Sequence, residues 1–338
     1  MTTSPRPMSL ALPLLTALLA TAVLPGEAAA AGVAVGVTLG VVAGAPQAYV
    51  PNEKSGTVSI IDTGTDTVVG EIAVGARPRG TAVSPDGKLL YVDGQPPGVV
   101  HVVDLATRAV IAEVQVGASP EGLSLSADGA LLAVALEEDN AVALIDTASR
   151  KLLGTIKVPG KNPEHAVLSP DGRWIFVGAE EGSSVDVIDV AARAVVASIE
   201  VGRRPRAIAF TPDGRRAWVA CEVAATTFVI DVATRKVLAS VKHGQLDSSV
   251  ALQPDGKRAL VSDGRGDALF AVDTTTTEVV GEVAVGARPW NMAFTPDGKK
   301  LYVANGRSNS VSVIEVATLK KLLDIPVGKQ PWGVAIHR

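Results

Sequence analysis

Seven copies of one phrase, each about 42 residues long, run from Asn52 to the C-terminus, and this period restricts the fold before any single residue is interpreted. An acidic residue after an apolar run marks each copy: Asp62, Asp104, Asp146, Asp189, Asp231, Asp273 and Glu315. A glycine closes each copy, at Gly75, Gly117, Gly160, Gly202, Gly244, Gly286 and Gly328, and a Pro-Asp-Gly hairpin phrase or its relative recurs at Asp86, Asp128, Asp171, Asp213, Asp255 and Asp297. Repeats of this length build solenoids or propellers. Within one copy, Gly80 to Ser84, Leu89 to Asp93, Val99 to Asp104 and Val110 to Val116 are short β-prone runs separated by turn residues. Four strands per period make a propeller blade. The sequence therefore predicts an all-β, seven-bladed β-propeller of four-stranded antiparallel blades.

The turns support this reading. In Ser84-Pro85-Asp86-Gly87, Pro presets φ, Asp bonds nearby backbone and Gly takes the left-handed position, so the phrase closes a hairpin between strands A and B. Asp104 and Thr107 are placed to satisfy amides at the corner between strands C and D. The first copy opens at Ala48-Tyr49-Val50 without a strand A, and the chain ends on an orphan one, Trp332 to Ile336. These pieces are expected to form one blade, closing the ring by pairing the N-terminal strands with the C-terminal strand and leaving no open edge.

Composition fits such a ring. Hydrophobic residues make up 47% of the chain and aromatics only 4%, so the packing must rest on Val, Ala, Leu and Ile. The net charge of -4 carries no basic excess of the kind nucleic-acid binders show. Residues 1–30 read as a signal peptide: Arg6, an apolar run from Leu10 to Leu24, then Ala28, Ala29 and Ala30. Residues 31–47 form an apolar, Gly-rich linker, with a retained membrane anchor as the alternative, and residues 48–338 form the single propeller. The expected location is periplasmic or secreted. The sole cysteine, Cys221, has no internal disulfide partner and reads as an inert core thiol.

Loop lengths are almost constant, with one residue inserted near Pro159, so no lid or inserted helix exists and recognition must come from substitutions at fixed blade positions. Four residues after each closing glycine the ring reads Arg79, Glu121, Glu164, Arg206, Ser248, Trp290, Trp332. Two residues after it, the ring includes Arg77, Arg204 and Arg288. Arginines give bidentate contacts and tryptophans a stacking face, so this mouth suits a planar or anionic ligand or a protein partner. The competing reading makes these residues solvated neighbours at a loop rim. A second ring carries Glu53, Glu137, Glu180 and Glu222, which are expected to diverge rather than hold a metal. No metal site and no cofactor is expected. Only His165, beside Glu164, is placed for acid-base work.

The phrases Tyr49-Val50-Pro51-Asn52, Tyr91-Val92-Asp93-Gly94 and Tyr302-Val303-Ala304-Asn305 resemble the Tyr-Val-Thr-Asn signature of the YVTN β-propeller family. Arg77-Pro78-Arg79-Gly80 and Lys329-Gln330-Pro331-Trp332-Gly333-Val334 look like its exported branch associated with pyrroloquinoline quinone-dependent catabolism. That resemblance implies an exported propeller accompanying quinoprotein alcohol oxidation, with no catalytic residues to carry over. Gln245 to Ser249 departs from the usual proline-containing connection. The leading expectation is a non-catalytic binding or scaffold protein engaging a periplasmic or extracellular protein, such as a redox enzyme, or a small ligand, and touching the membrane only through a retained N-terminal segment. One alternative is a lactonase- or lyase-like enzyme using His165, Glu164, Glu121 and Arg206. Another is single-stranded nucleic-acid binding, against which the negative charge weighs.

Overall fold

In a computed structural model that describes residues 46–337, the chain forms seven four-stranded antiparallel sheets and no helix among the described residues. The expected export signal and most of the linker lie outside the described residues. Blade 1 comprises Thr81–Val83, Leu89–Gly94, Val99–Asp104 and Ala109–Gln115, named A to D in that order. Blades 2 to 6 follow in the same pattern, with A strands Pro120–Leu125, Pro163–Leu168, Pro205–Phe210, Asp247–Leu252 and Pro289–Phe294. Blade 7 takes strands B, C and D from Gln47–Asn52, Thr57–Asp62 and Thr67–Ala73, and its A strand from Ala335–Ile336. Ala48 pairs with Ile336 and Tyr49 with Ala335, and an isolated bridge joins Asn52 to Pro331, so the ring closes as the two chain ends predict.

The turns behave as their residues dictate. Ser84 Oγ donates to Asp86 Oδ1 at 2.6 Å, Gly87 N to Ser84 O at 2.9 Å, and Gly87 holds φ at 69°. At the C–D corner, Thr107 N and Oγ1 donate to Asp104 Oδ1 at 2.7 and 2.8 Å. The residue four beyond each acidic marker, from Asp66 through Arg108 to Leu319, is left-handed in all seven blades.

Burial sets the order of strands around the axis. B and C strands are almost wholly buried, D strands mostly exposed, and A strands of adjacent blades pack against one another around the channel. Seven apolar clusters fill the seven blade-to-blade interfaces; Val134 and Leu136 of blade 2, for example, meet Val100 and Val102 of blade 1. At the seam, Lys300 Nζ of blade 6 reaches Asp66 Oδ2 of blade 7 at 2.6 Å and Thr63 O at 3.0 Å. Cys221 is fully buried, and burial pushes its thiol up to about 12, so it is unreactive as expected.

The Tyr-Val-x-Asn phrase has a structural role. Asn52 and Asn305 are fully buried, and their amides donate at 2.9 Å to Ser59 Oγ and Ser312 Oγ across the B–C hairpin. Other blades use carboxylates nearby: Asp93 accepts from the amides of Arg79 and Gly80, both at 2.9 Å, which fixes the connection carrying Arg79.

Candidate functional site at the channel mouth

The connections into strand A and from B to C share one face, and their backbone aims the arginines across it. Six D-to-A connections place a left-handed residue directly before a proline, at Arg77, Ser119, Asn162, Arg204, Arg288 and Gln330, with φ between 48° and 62°. Proline disfavours the right-handed helical region for the residue before it.

The arginines and glutamates of the first ring pair between neighbouring blades. Arg79 binds Glu121 one blade on, and Arg206 Nε donates to Glu164 Oε1 of the preceding blade at 2.7 Å. These are not solvated rim neighbours: Glu121 is 2% and Glu164 4% exposed. Three of the four carboxylates of the second ring do not diverge but converge on arginines: Glu53 and Glu222 on those of the first ring and their neighbours, and Glu180 on Arg204. Glu53 Oε1 meets Arg77 Nε at 3.3 Å and Arg79 Nη2 at 3.2 Å. Glu222 lies within 3.3 Å of three arginines: Arg204 Nε at 3.0 Å, Arg206 Nη1 at 3.3 Å and Arg288 Nη2 at 2.8 Å. Glu180 also binds Arg204, while Glu137 accepts from Ser119 Oγ at 3.1 Å. The two rings interleave into two ion-pair clusters, one around Arg79 and one around Arg206, and sequence columns read singly conceal both.

The electrostatics follow from burial against pairing. Burial opposes ionisation of Glu121, yet Arg79 and then Gln95, whose Nε2 donates to Glu121 Oε1 at 3.0 Å, hold it below the usual glutamate value. Arg206 is shared between Glu164 and Glu222, so burial prevails at Glu164 and pushes it up to about 8, with Glu180 and Glu121 adding like-charge repulsion. Burial and then Arg206 lower His165 to about 4, leaving a neutral imidazole near neutral pH.

His165 crosses the channel. Its ring stacks on Trp332 of blade 7 with centroids 5.4 Å apart, and its Nε2 lies 3.4 Å from Asn291 Nδ2 of blade 6. Trp290 and Trp332 lie 6.4 Å apart, tilted by 53°. Glycine at 122 makes room: a Cβ there would lie 3.0 Å from the His165 ring. The result is an aromatic plug at the axis. Among the described residues, no three His, Cys, Asp or Glu side chains cluster to hold a metal ion.

Around this plug the mouth opens into two depressions. The larger, about 620 Å³, lies between blades 6 and 7 and is lined by Lys54, Arg288, Trp290, Arg307, Lys329 and Gln330. The smaller, about 340 Å³ between blades 3 and 4, is lined by Glu180, Glu181, Arg203 and Arg204. Of the sequence-predicted residues, Arg79, Glu121, Glu164, Arg206 and Arg77 thus belong to the ion-pair clusters, with Arg204 and Arg288 shared between the cluster around Arg206 and the depressions. Trp332 belongs to the plug, and Trp290 lines both plug and larger depression. Lys54, Arg307 and Lys329 escaped the sequence reading. Lys54 and Arg307 share one column, the residue after the Glu53 and Gly306 ring, and Lys329 lies in another, directly after the closing glycine; neither column stood out in the sequence as a site.

Solved structures share this architecture. A chain of hydrazine synthase from Kuenenia stuttgartiensis is 28% identical with a TM-score of 0.74, covering 80% of this chain and 92% of that one. A functionally unknown protein from Desulfotomaculum acetoxidans matches with a TM-score of 0.77 at 17% identity, over 86% of this chain and 98% of that one. Dihydro-heme d1 dehydrogenase NirN matches at 0.64 and 19%, over 85% and 74%; at these two identities the likeness concerns the fold alone. No curated protein matches the chain. The YNCE-like beta-propeller family matches residues 8–337, nearly the whole sequence, and the chain belongs to that family.

Proposed function

We propose that the protein is a non-catalytic binding propeller that works through its mouth. The carrying observation is the engagement of every candidate catalytic group: Glu121 and Glu164 are buried against Arg79 and Arg206, and His165 is stacked on Trp332 as a neutral ring. A general base needs access to substrate and a value near the working pH. His165, lowered to about 4 and committed to the plug, meets neither condition. Between blades 6 and 7 the mouth presents cationic side chains and the half-buried Trp290 indole to solvent. The export pattern of residues 1–30 and the resemblance to propellers of quinone-dependent catabolism support an extracytoplasmic place beside a quinoprotein oxidation system. The likeness to a chain in hydrazine synthase is in keeping with a setting alongside an enzyme.

Turnover assays against a panel of lactones, with and without divalent metal, test the reading together with binding of a purified quinoprotein alcohol dehydrogenase. Binding without turnover, weakened by Arg79→Ala, Arg206→Ala or Trp332→Ala in folded protein, is expected. Turnover abolished by His165→Ala and Glu164→Ala would overturn it in favour of a hydrolytic site.

A further inference from the structure

The larger depression differs from the rest of the mouth in what has been removed from it. Across the blades, the position after strand B carries Glu53, Gln95, Glu137, Glu180 and Glu222, but in blades 5 and 6 it carries Gly264 and Gly306. Where glutamate stands at 53, 180 and 222, it pairs with arginine. At Gly306 no carboxylate is supplied, and the next residue is Arg307. Lys54 and Lys329 approach from blade 7, and none of these three side chains has a carboxylate within 4.0 Å among the described residues. Arg288, the fourth cation, is held by Glu222 at 2.8 Å.

Backbone contacts hold the three free cations in place. Lys54 N donates to Lys329 O at 3.2 Å, Lys329 N to Ser55 Oγ at 2.8 Å, and Arg307 N to Ala287 O at 3.1 Å. Gln330 N donates to Asn309 Oδ1 at 2.8 Å, so the rim between the two blades is tied. Gly306 also admits the aromatic wall: a Cβ there would come within 3.0 Å of the Trp290 ring, which lies over it. One glycine thus removes a charge and seats an indole.

Like charges gathered in one depression repel, and a ligand of opposite charge relieves that repulsion. A volume of about 620 Å³ suits a small molecule. Trp290 offers a flat apolar surface, while Arg307 and Arg288 offer planar donor sets that fit carboxylate or phosphate oxygens. From this geometry we infer that the depression between blades 6 and 7 is a binding site for a small planar organic polyanion, an aromatic ring system bearing two or more carboxylate or phosphate groups. The inference rests on reading the mouth as a binding surface and names the ligand chemistry of one part of it.

The test titrates the intact chain with benzene-1,2,4,5-tetracarboxylate, following heat and tryptophan fluorescence, beside inorganic pyrophosphate, which has charge without a plane, and nicotinamide, which has a plane without charge. Saturable binding of the tetracarboxylate is expected, tighter than either comparator, with quenched fluorescence and affinity that falls as salt rises. Arg307→Glu and Lys329→Glu change exposed side chains and leave the fold intact; each should weaken binding about tenfold or more. Trp290→Phe should weaken it less and abolish the quenching. Arg203→Glu, in the depression between blades 3 and 4, should leave affinity unchanged. Equal binding of pyrophosphate, capture of a poly-glutamate peptide but not the tetracarboxylate, or insensitivity to both charge reversals would each overturn the site. A protein that binds its partner yet ignores the tetracarboxylate loses this inference only, whereas catalytic turnover removes the underlying reading.

Discussion

The depression between blades 3 and 4 and the one between blades 6 and 7 come from the same repeat, yet one is charge-balanced and the other is not. Glu180 and Glu181 face Arg203 and Arg204 in the first, whereas Lys54, Arg288, Arg307 and Lys329 line the second with no carboxylate among them. On the balanced arc, which runs from blade 7 through blades 1 to 4, charges lie buried against each other and brace the ring. On the cationic arc Lys54, Arg307 and Lys329 remain in water, where they cost the fold little and are available to a ligand, and only Arg288 is held, by Glu222. The same residue type therefore acts structurally or as a binding group according to whether a glutamate or a glycine follows strand B.

The largest effect should come from removing what both arcs share. Deleting residues 330–338 takes away the closing A strand and Trp332, which is 3% exposed. Losing a buried tryptophan alone typically costs about 3–5 kcal/mol, and the reopened seam adds to it. Thermal melts should show a sharply lower transition; an unchanged melt would mean that the ends do not brace the ring. Next in size is Glu222→Leu, which acts on the balanced arc and leaves Arg204, Arg206 and Arg288 without their common partner. Breaking a buried pair from one side costs about 3–5 kcal/mol, measurable by urea denaturation. A loss below about 1 kcal/mol would show that the network is solvated and that the two arcs do not differ in kind.

A pH titration separates the arcs further, because only the balanced one holds strongly shifted groups. Glu164 is raised in the folded state from the usual 4.5 to about 8, so it binds a proton there that the unfolded chain releases. Its contribution is fully present below pH 4.5 and is lost as pH rises through about 8. His165 is lowered from 6.5 to about 4, so its contribution is present above pH 6.5 and lost as pH falls through about 4. Between pH 4.5 and 6.5 the two slopes oppose each other, and above 6.5 only that of Glu164 remains. Stability should therefore decline between pH 6.5 and 8, and Glu164→Gln should flatten that decline. An identical slope in the variant would remove Glu164 as its cause.

These experiments probe features that the sequence disclosed unequally. Blade number, turn placement and ring closure were legible because each follows from local spacing: the Pro-Asp-Gly hairpins, the acidic markers and the orphan strand at Trp332. The paired residues Arg79, Glu121, Glu164 and Arg206 were legible as one ring. Their union with Glu53, Glu180 and Glu222 was not, because it depends on how far an arginine side chain reaches between rings. The contact of His165 with Asn291 and Trp332 depends on the width of the channel, which no column states. The junction of blades 4 and 5 teaches the converse. Asp247 stands where other blades have proline, His243 where they have valine and Thr227 where most have valine. In the fold His243 Nδ1 lies 3.1 Å from Asp247 Oδ1, and Thr227 Oγ1 lies 3.4 Å from Asp247 Oδ2, all three buried. Three departures meeting where blade 4 packs on blade 5 were a visible signal of mutual compensation.

The smallest effect belongs to the cationic arc and has the opposite sign. Lys54, Arg307 and Lys329 are exposed and lack carboxylate partners among the described residues, so neutralising one removes repulsion without leaving a buried group unpaired. Lys329→Ala should change stability by no more than about 0.5 kcal/mol. The change should be towards greater stability at low salt, and it should fade as salt screens the neighbouring charges. Urea denaturation at two ionic strengths reads both features. A destabilisation of about 2 kcal/mol or more would mean that Lys329 braces the ring as Arg206 does, and the division of the mouth into a bracing arc and a binding arc would fail.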